Sequence, residues 1–364
     1  MPGASEILGP EGPFPAAPLS DPLERRWLHY AFFSRDGRKS LIANVAFLGG
    51  DRPGADPADG PAGPGLTTAV LLMHDAEAGW ACSEWNCGIE APLWSGFRNP
   101  DPRSPGGGWP APDAALPDLA LRAVRGTPAV SLRLRRTSTP CASQCATFAN
   151  HRHFMRWQSE PGVLADGRFD VDGARDPEVQ AVGYHERVRG RWGWPEMGGW
   201  VFGFCNDLGG DLSAAPPWSV VFTLLQPRNE PTGQSASVMV WRHGKLLRHI
   251  PRKQLRVSVA GQLDRDRVEM APALAWLLGT PAAPPIPAVL CIAGYQGHDQ
   301  VELRFYAERA ARLVIPSETS LNPFSVHEVL GTIEARLDIG GEVHSFSGPA
   351  VVEFAGGAAG PSSE

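Results

Sequence analysis

Residues 27–49 read WLHYAFFSRDGRKSLIANVAFLG. Two apolar runs, rich in aromatic and β-branched side chains, flank the polar tetrad Arg35-Asp36-Gly37-Arg38. Such side chains suit a pleated, half-buried surface, and Asp-Gly supplies the left-handed backbone that a tight turn between strands demands. The stretch therefore predicts a β-hairpin. The same device recurs. Asp166-Gly167 and Asp172-Gly173 punctuate 161–175, His243-Gly244 joins SVMVW to LLRHI, and Gly340-Gly341 joins EARLDI to EVHSF. In places the alternation is clean: Val301, Leu303 and Phe305 point one way, and Glu302, Arg304 and Tyr306 the other.

Helix signals are sparse. APALAWLLG (271–279) has an early proline and a closing glycine. SVHEVLG (325–331) has a serine cap, a glutamate three residues on and a final glycine, which predicts one or two turns. The expected fold is all-β: two tandem antiparallel units of about eight strands each, closing as lipocalin-like barrels or sandwiches, with one or two short helices. A barrel of that size can hold one small ligand. The predicted boundaries are a flexible arm at 1–20, an N-terminal unit at 21–180, a C-terminal unit at 181–356 and a tail at 357–364. Glycine- and proline-rich stretches at 50–66, 96–117 and 279–287 read as loops.

Composition narrows the function classes. Hydrophobic residues make up 43% of the 364, enough for a sizeable core, and the formal charge is −6. No basic excess exists to neutralise phosphates, so no nucleic-acid partner is expected. No run approaches the roughly 20 apolar residues of a transmembrane helix, and MPGASEILGPEGPFPAAP lacks the basic and apolar regions of a signal peptide. The expectation is a soluble cytoplasmic protein with reduced cysteines. Neither Cys82/Cys87 nor Cys141/Cys145 has zinc-ligand spacing, and His151-x-His153 has no third ligand in view, so no metal is expected. Gly-x-Gly-x-x-Gly, P-loop and Gly-x-Ser-x-Gly motifs are absent, so no cofactor is expected either.

The chemistry concentrates in AVGYHERVRGRWGWPEMGGWVFGF, residues 181–204. Tyr184 and Glu186 stand at i and i+2 of a strand, so they share a face, while His185 points away. His185 reads as a structural residue. Met155 and Phe154 read as core.

Three stretches together resemble one superfamily, the lipocalin-like proteins that include carotenoid 1,2-hydratases, AttH-like proteins, tocopherol cyclases and lipocalin-like Diels–Alderases. RRWLHYAFFSRDGRKSLIANVAF (25–47) is similar to the family's opening hairpin. FMRWQSEPGVLADGRFDVDGARDPEVQAVGYHERVRGRWGW (154–194) resembles its central block, in which a strand ending in Trp leads to Gly-Tyr-His-Asp-His-Asn-Trp-Gly. FSVHEVLGTIEARLDIGGEVHSFSGPAVVEF (324–354) resembles its closing segment. The resemblance implies an acid site at Tyr184 and Glu186, with Trp157 on the preceding strand. Here the family's Asp is Glu186, and its His-Asn-Trp is Arg187, Val188 and Arg189. The arginines point to a substrate carrying oxygen or negative charge.

The implied function is a cofactor-independent cyclase or hydratase for a hydrophobic polyene or isoprenoid-like natural-product intermediate, working in a pocket between two barrels. A buried carboxyl stays protonated near neutrality and can protonate an alkene or hydrogen-bond a carbonyl. The resulting carbocation gains roughly 1–2 kcal/mol from each desolvated aromatic face. Catalytic roles fall to Glu186 and Tyr184, and substrate contact to Trp157, Trp192, Trp194, Trp200 and Arg187. The alternatives are pericyclic ring closure in a natural-product pathway, a non-catalytic lipid or pigment carrier, and a purely structural role in which Glu186 pairs with Arg156 or Arg304 and the tryptophans are packing.

Overall fold

The computed structural model describes residues 23–48, 66–88, 119–122, 128–147, 153–170, 178–193, 196–210, 214–227, 235–270, 285–315 and 324–356. The chain divides into two compact units, Met1–Trp192 and Gly193–Glu364. Every long element is a strand, and the helical pieces among the described residues are short 3₁₀ turns, such as Arg252–Gln254 and Arg265–Arg267. No helix among them is long and apolar enough to cross a membrane.

The N-terminal unit holds β1 (Glu24–Ser34), β2 (Lys39–Leu48), β3 (Leu66–Asp75), β4 (Gly79–Gly88), β5 (Leu119–Arg122), β6 (Ala129–Arg135), β7 (Cys141–Thr147), β8 (Phe154–Asp170) and β9 (Val179–Arg191). They form one antiparallel sheet in the order β4-β3-β2-β1-β9-β8-β6-β5, with β7 also on β8. The sheet curls, because side chains from β3 (Leu71, Met73) and β6 (Val130, Leu132, Leu134) share one core with Leu28, Phe32 and Phe169. The opening hairpin forms as its sequence predicts: Phe33 pairs with Ser40, and Gly37 takes φ 69° at the turn.

The C-terminal unit holds β10 (Met197–Asn206), β11 (Trp218–Pro227), β12 (Ser235–Arg242), β13 (Lys245–Pro251), β14 (Leu255–Ala260), β15 (Val268–Met270), β16 (Val289–Gln296), β17 (Asp299–Ile315), β18 (Phe324–Ile339) and β19 (Glu342–Gly356). The order is β13-β12-β11-β10-β19-β18-β17-β16-β14, with β15 lying parallel on β17. The His243-Gly244 and Gly340-Gly341 turns form, with left-handed backbone at all four residues. Val301, Leu303 and Phe305 are buried together as alternation predicts.

Three local expectations are corrected. SVHEVLG is strand, not helix: residues 325–331 lie in β18, paired on both sides with β17 and β19. Local capping chemistry lost to two full ladders of backbone hydrogen bonds and burial of both faces. Gly331 is no helix cap, for a Cβ there would stand 2.0 Å from the Tyr306 carbonyl oxygen of the neighbouring strand. Asp166-Gly167 is no turn, because β8 runs through it in register with β6. The boundary expected at 180/181 falls at 192/193. Residues 181–191 close the first sheet, since β9 pairs with β1 on one side and β8 on the other. The helix expected at 271–279, Asp172-Gly173, and Trp194 and His151 lie outside the described residues.

Candidate functional site

The register of the central three strands sets the site. His29 of β1 lies opposite Glu186 of β9, and Glu186 lies opposite Ser159 of β8. Directly opposed residues project to one face. That face therefore carries Trp27, His29, Trp157, Ser159, Tyr184, Glu186 and Val188. The other face carries Tyr30, Gln158, Glu160, His185 and Arg187.

Tyr184 and Glu186 meet as their spacing predicts. The phenol oxygen stands 2.7 Å from Glu186 Oε2 and 2.9 Å from Ser159 Oγ. A phenol has one proton to give, so it donates to the carboxyl group and accepts from Ser159, making a chain from Ser159 through Tyr184 to Glu186. All three are buried, with Tyr184 and Ser159 at 0% exposure and Glu186 at 7%. Burial pushes the Tyr184 phenol well above its usual range, and the neighbouring Glu186 charge adds to this. The phenol keeps its proton and serves as a hydrogen-bond donor.

Backbone features hold the pair. Gly183 precedes Tyr184 where β1 approaches closely, and a Cβ there would stand 1.9 Å from the Ala31 carbonyl oxygen. A bulge between Pro161 and Val163 sits beside Tyr184, with Gly162 at φ 71°. Bulges recur next to functional sites because they re-aim a strand. His29 joins the same face, which sequence reading missed. Its ring lies 6.4 Å from that of Tyr184, edge-on. Burial lowers its pKa to about 4, so it is neutral near pH 7. The signal was present: alternation along WLHYAFF separates Trp27 and His29 from Leu28 and Tyr30.

The remaining expected residues scatter. Trp157 is buried on the Tyr184 face, opposite Val188. Arg187 is on the far face, where its Nε donates to His185 Nε2 at 3.3 Å. His185 stacks on Tyr30 at 4.4 Å, and its Nδ1 lies 3.0 Å from the His29 main-chain oxygen. Burial, and secondarily the Arg187 charge, hold the His185 imidazole well below its usual pKa. Beside it, Arg136 and Glu160 form a buried ion pair at 2.6 Å. Trp192 closes the end of the N-terminal unit: it meets Trp27 edge-on at 5.3 Å, lies under the Arg25 guanidinium, and accepts from Arg25 Nε at its carbonyl. Arg156 lies over the Phe154 ring, and Arg304 reaches Tyr306 in the other unit.

Trp200 belongs to the C-terminal unit, on β10, where its indole N–H donates to Glu353. Glu353 lies opposite Glu328 across β18 and β19, and both are buried. Burial raises the Glu353 pKa, against the hydrogen bonds from Glu328 and Trp200. Neither glutamate stands out in sequence, because only strand pairing brings them together.

The fold has counterparts among solved structures. An AttH-like protein from Nitrosomonas europaea aligns with a TM-score of 0.51 at 12% identity, over 95% of this chain and 99% of that one. CghA with Sch210972 aligns with a TM-score of 0.50 at 10% identity, over 95% of each chain. Kievitone hydratase from Nectria haematococca gives 0.49 at 12% identity, over 97% of this chain and 94% of that one. No protein-family model matches the sequence, and no curated protein matches it. The chain has the fold of AttH-like proteins: two antiparallel lipocalin-like units in tandem.

Proposed function

We propose that this chain is a cofactor-independent cyclase or hydratase of the lipocalin-like superfamily, acting on a hydrophobic polyene or isoprenoid-like natural-product intermediate. The observation that carries the reading is the buried Tyr184–Glu186 hydrogen bond, backed by Ser159. The likeness of fold to CghA, solved with Sch210972, supports a ligand-binding role.

In this reading Glu186 is the acid. Tyr184 donates to Oε2, leaving the other carboxyl oxygen to carry the proton toward substrate. Transfer to an alkene carbon forms a C–H bond and leaves a cation on the adjacent carbon. Glu186 becomes a carboxylate, and the Tyr184 hydrogen bond strengthens as that charge develops. Capture by water, with loss of its proton to Glu186, gives an alcohol; capture by an internal hydroxyl with the same proton loss, or by an internal alkene whose new cation then sheds a C–H proton to Glu186, gives a ring. In both cases the acid is restored. Trp157 lies on the face where an aromatic ring can stabilise the cation.

A second reading rests on Tyr184 holding its proton. A phenol that turns its one proton from Glu186 to a substrate carbonyl lowers the barrier of a pericyclic closure, with entropy loss prepaid by the bound pose. Glu186→Gln separates the two when turnover of polyene and isoprenoid candidates is measured beside their binding. A catalytic acid predicts a loss of about 10²–10⁴-fold in kcat with binding kept. Unchanged turnover overturns the acid role and favours pericyclic closure. Binding without product in the wild-type protein favours a carrier.

A further inference from the structure

The run RVRGR, residues 187–191, puts an arginine at every second position of β9. Positions two apart share a face. Arg187, Arg189 and Arg191 therefore fall on the face of Leu28 and Tyr30, which belong to the N-terminal core. Strand register enlarges the set. Arg26 of β1 is the partner of Arg189, and Arg189 is the partner of Arg156 of β8. Three arginines thus stand in one row across three adjacent strands, about 5 Å apart from strand to strand. The row continues into Phe47 of β2 and Cys145 of β7, so its neighbours bring no acid. Two residues deeper, about 6.7 Å along the strands, Arg187 lies between Leu28 and Gln158. Two residues outward, Arg191 lies opposite Glu24, one charge of each sign.

This corner is the unexplained part of the N-terminal unit. Arginine keeps its charge throughout the working pH range, and like charges directly opposed across strands work against pairing. Nearby side chains do not offset them. Arg187 is half-buried, and its Nε donates to His185, a neutral imidazole. Arg156 is half-buried and lies over the Phe154 ring at 5.0 Å. Its Nε is buried with no hydrogen-bond partner among the described residues. The carboxylate on this face, Glu160, stands two residues beyond Gln158 and is taken by Arg136 at 2.6 Å. Four positive positions in two adjacent rows are left with no acid opposite them.

We propose that Arg26, Arg156, Arg187 and Arg189 bind the diphosphate group of a small-molecule ester at this end of the N-terminal sheet. Guanidinium forks match phosphate oxygens two at a time, and each bond is charge-assisted. Two rows of positive charge, one above the other along the strands, receive an anion charged at two centres better than one charged at a single centre. Bound there, the anion relieves the opposition between Arg26, Arg189 and Arg156. Tyr184 and Glu186 lie on the opposite face of β9, so this site is separate from the acid pair and does not rest on its role.

The test uses the full chain, titrated by calorimetry at low and high salt with inorganic pyrophosphate, inorganic phosphate, sulfate and citrate. Pyrophosphate binds saturably at one site, raises the thermal midpoint and binds more weakly at high salt. Phosphate, sulfate and citrate bind about tenfold more weakly or worse. Arg156→Gln and Arg189→Gln each weaken pyrophosphate by about tenfold or more. Without ligand, Arg156→Gln keeps the wild-type thermal midpoint or exceeds it, because opposed charge is removed, so lost binding is not lost folding. It decides the matter if Arg189→Gln fails to fold. Arg304→Gln, in the other unit, leaves pyrophosphate binding unaltered. The proposal is overturned if pyrophosphate does not bind saturably, if phosphate, sulfate or citrate binds as tightly, or if folded Arg156→Gln or Arg189→Gln binds pyrophosphate as well as wild type does.

Discussion

Gly183→Ala tests the frame on which the site is built. An added Cβ would stand 1.9 Å from the Ala31 carbonyl oxygen, 2.8 Å from its carbonyl carbon and 2.6 Å from Phe32 Cδ1. Carbon–oxygen contacts between strands settle near about 3.3 Å, so β1 must retreat by more than an ångström. Phe32 is fully buried and cannot swing aside. Overpacking costs about 1–3 kcal/mol where side chains can yield. Here the obstacle is main chain, and the ladder at Ala31–Tyr184 and Phe32–Gly183 must stretch as well. We expect a loss of about 3–5 kcal/mol. For a unit of this size that is roughly 6–20 °C in the thermal midpoint. Thermal and urea unfolding followed by tryptophan fluorescence measure it, and amide exchange at Tyr184 locates it. A midpoint within about 2 °C of wild type, with unchanged protection at Tyr184, would refute the β1–β9 register and the geometry of the site derived from it.

Tyr184→Phe removes the centre of the Ser159–Tyr184–Glu186 chain; it should cost about 1–3 kcal/mol in urea unfolding and lower kcat while KM changes little. Glu160→Gln breaks the buried pair with Arg136 and should cost about 3–5 kcal/mol, much of it recovered when Arg136→Met and Glu160→Met are combined; a double variant no better than the single one counts against a strict pair. His29 has a folded pKa of about 4 against about 6.5 unfolded, so its contribution is full above pH 6.5 and is lost as pH falls toward 4, by roughly 2–3 kcal/mol. His29→Phe should flatten that part of the stability–pH curve. Glu353 has the opposite sign, since its raised folded pKa gives stability that is full below the unfolded carboxylate range and falls as pH rises through the folded value; Glu353→Gln should therefore raise the urea midpoint at pH 7 relative to pH 4.

Much of the fold was legible because its signals are local. Asp36-Gly37, His243-Gly244 and Gly340-Gly341 mark turns by backbone preference alone, and the turns form. Period-two alternation paired Tyr184 with Glu186 and separated His185 from both, and the hydrogen bonds follow that geometry. The same alternation also separates Arg187 from Glu186, and Arg187 accordingly contacts His185 on the far face. SVHEVLG misled because caps and glycine describe a helix end equally well as an isolated segment, and its strand state depends on partners far along the chain.

What the sequence determined alone was the all-β class, the turns at Asp36-Gly37, His243-Gly244 and Gly340-Gly341, and the face on which Tyr184, His185 and Glu186 lie, because these follow from backbone dihedrals and a two-residue period. Only the tertiary structure decided which strands are neighbours. Pairing of β9 with β1 and β8 placed residues 181–191 in the first unit and set His29 and Ser159 beside the acid pair. Pairing of β18 with β17 and β19 brought Glu328 to Glu353, and His327 to Arg312. Register between strands is fixed by burial summed over a whole sheet, and no short segment carries that sum.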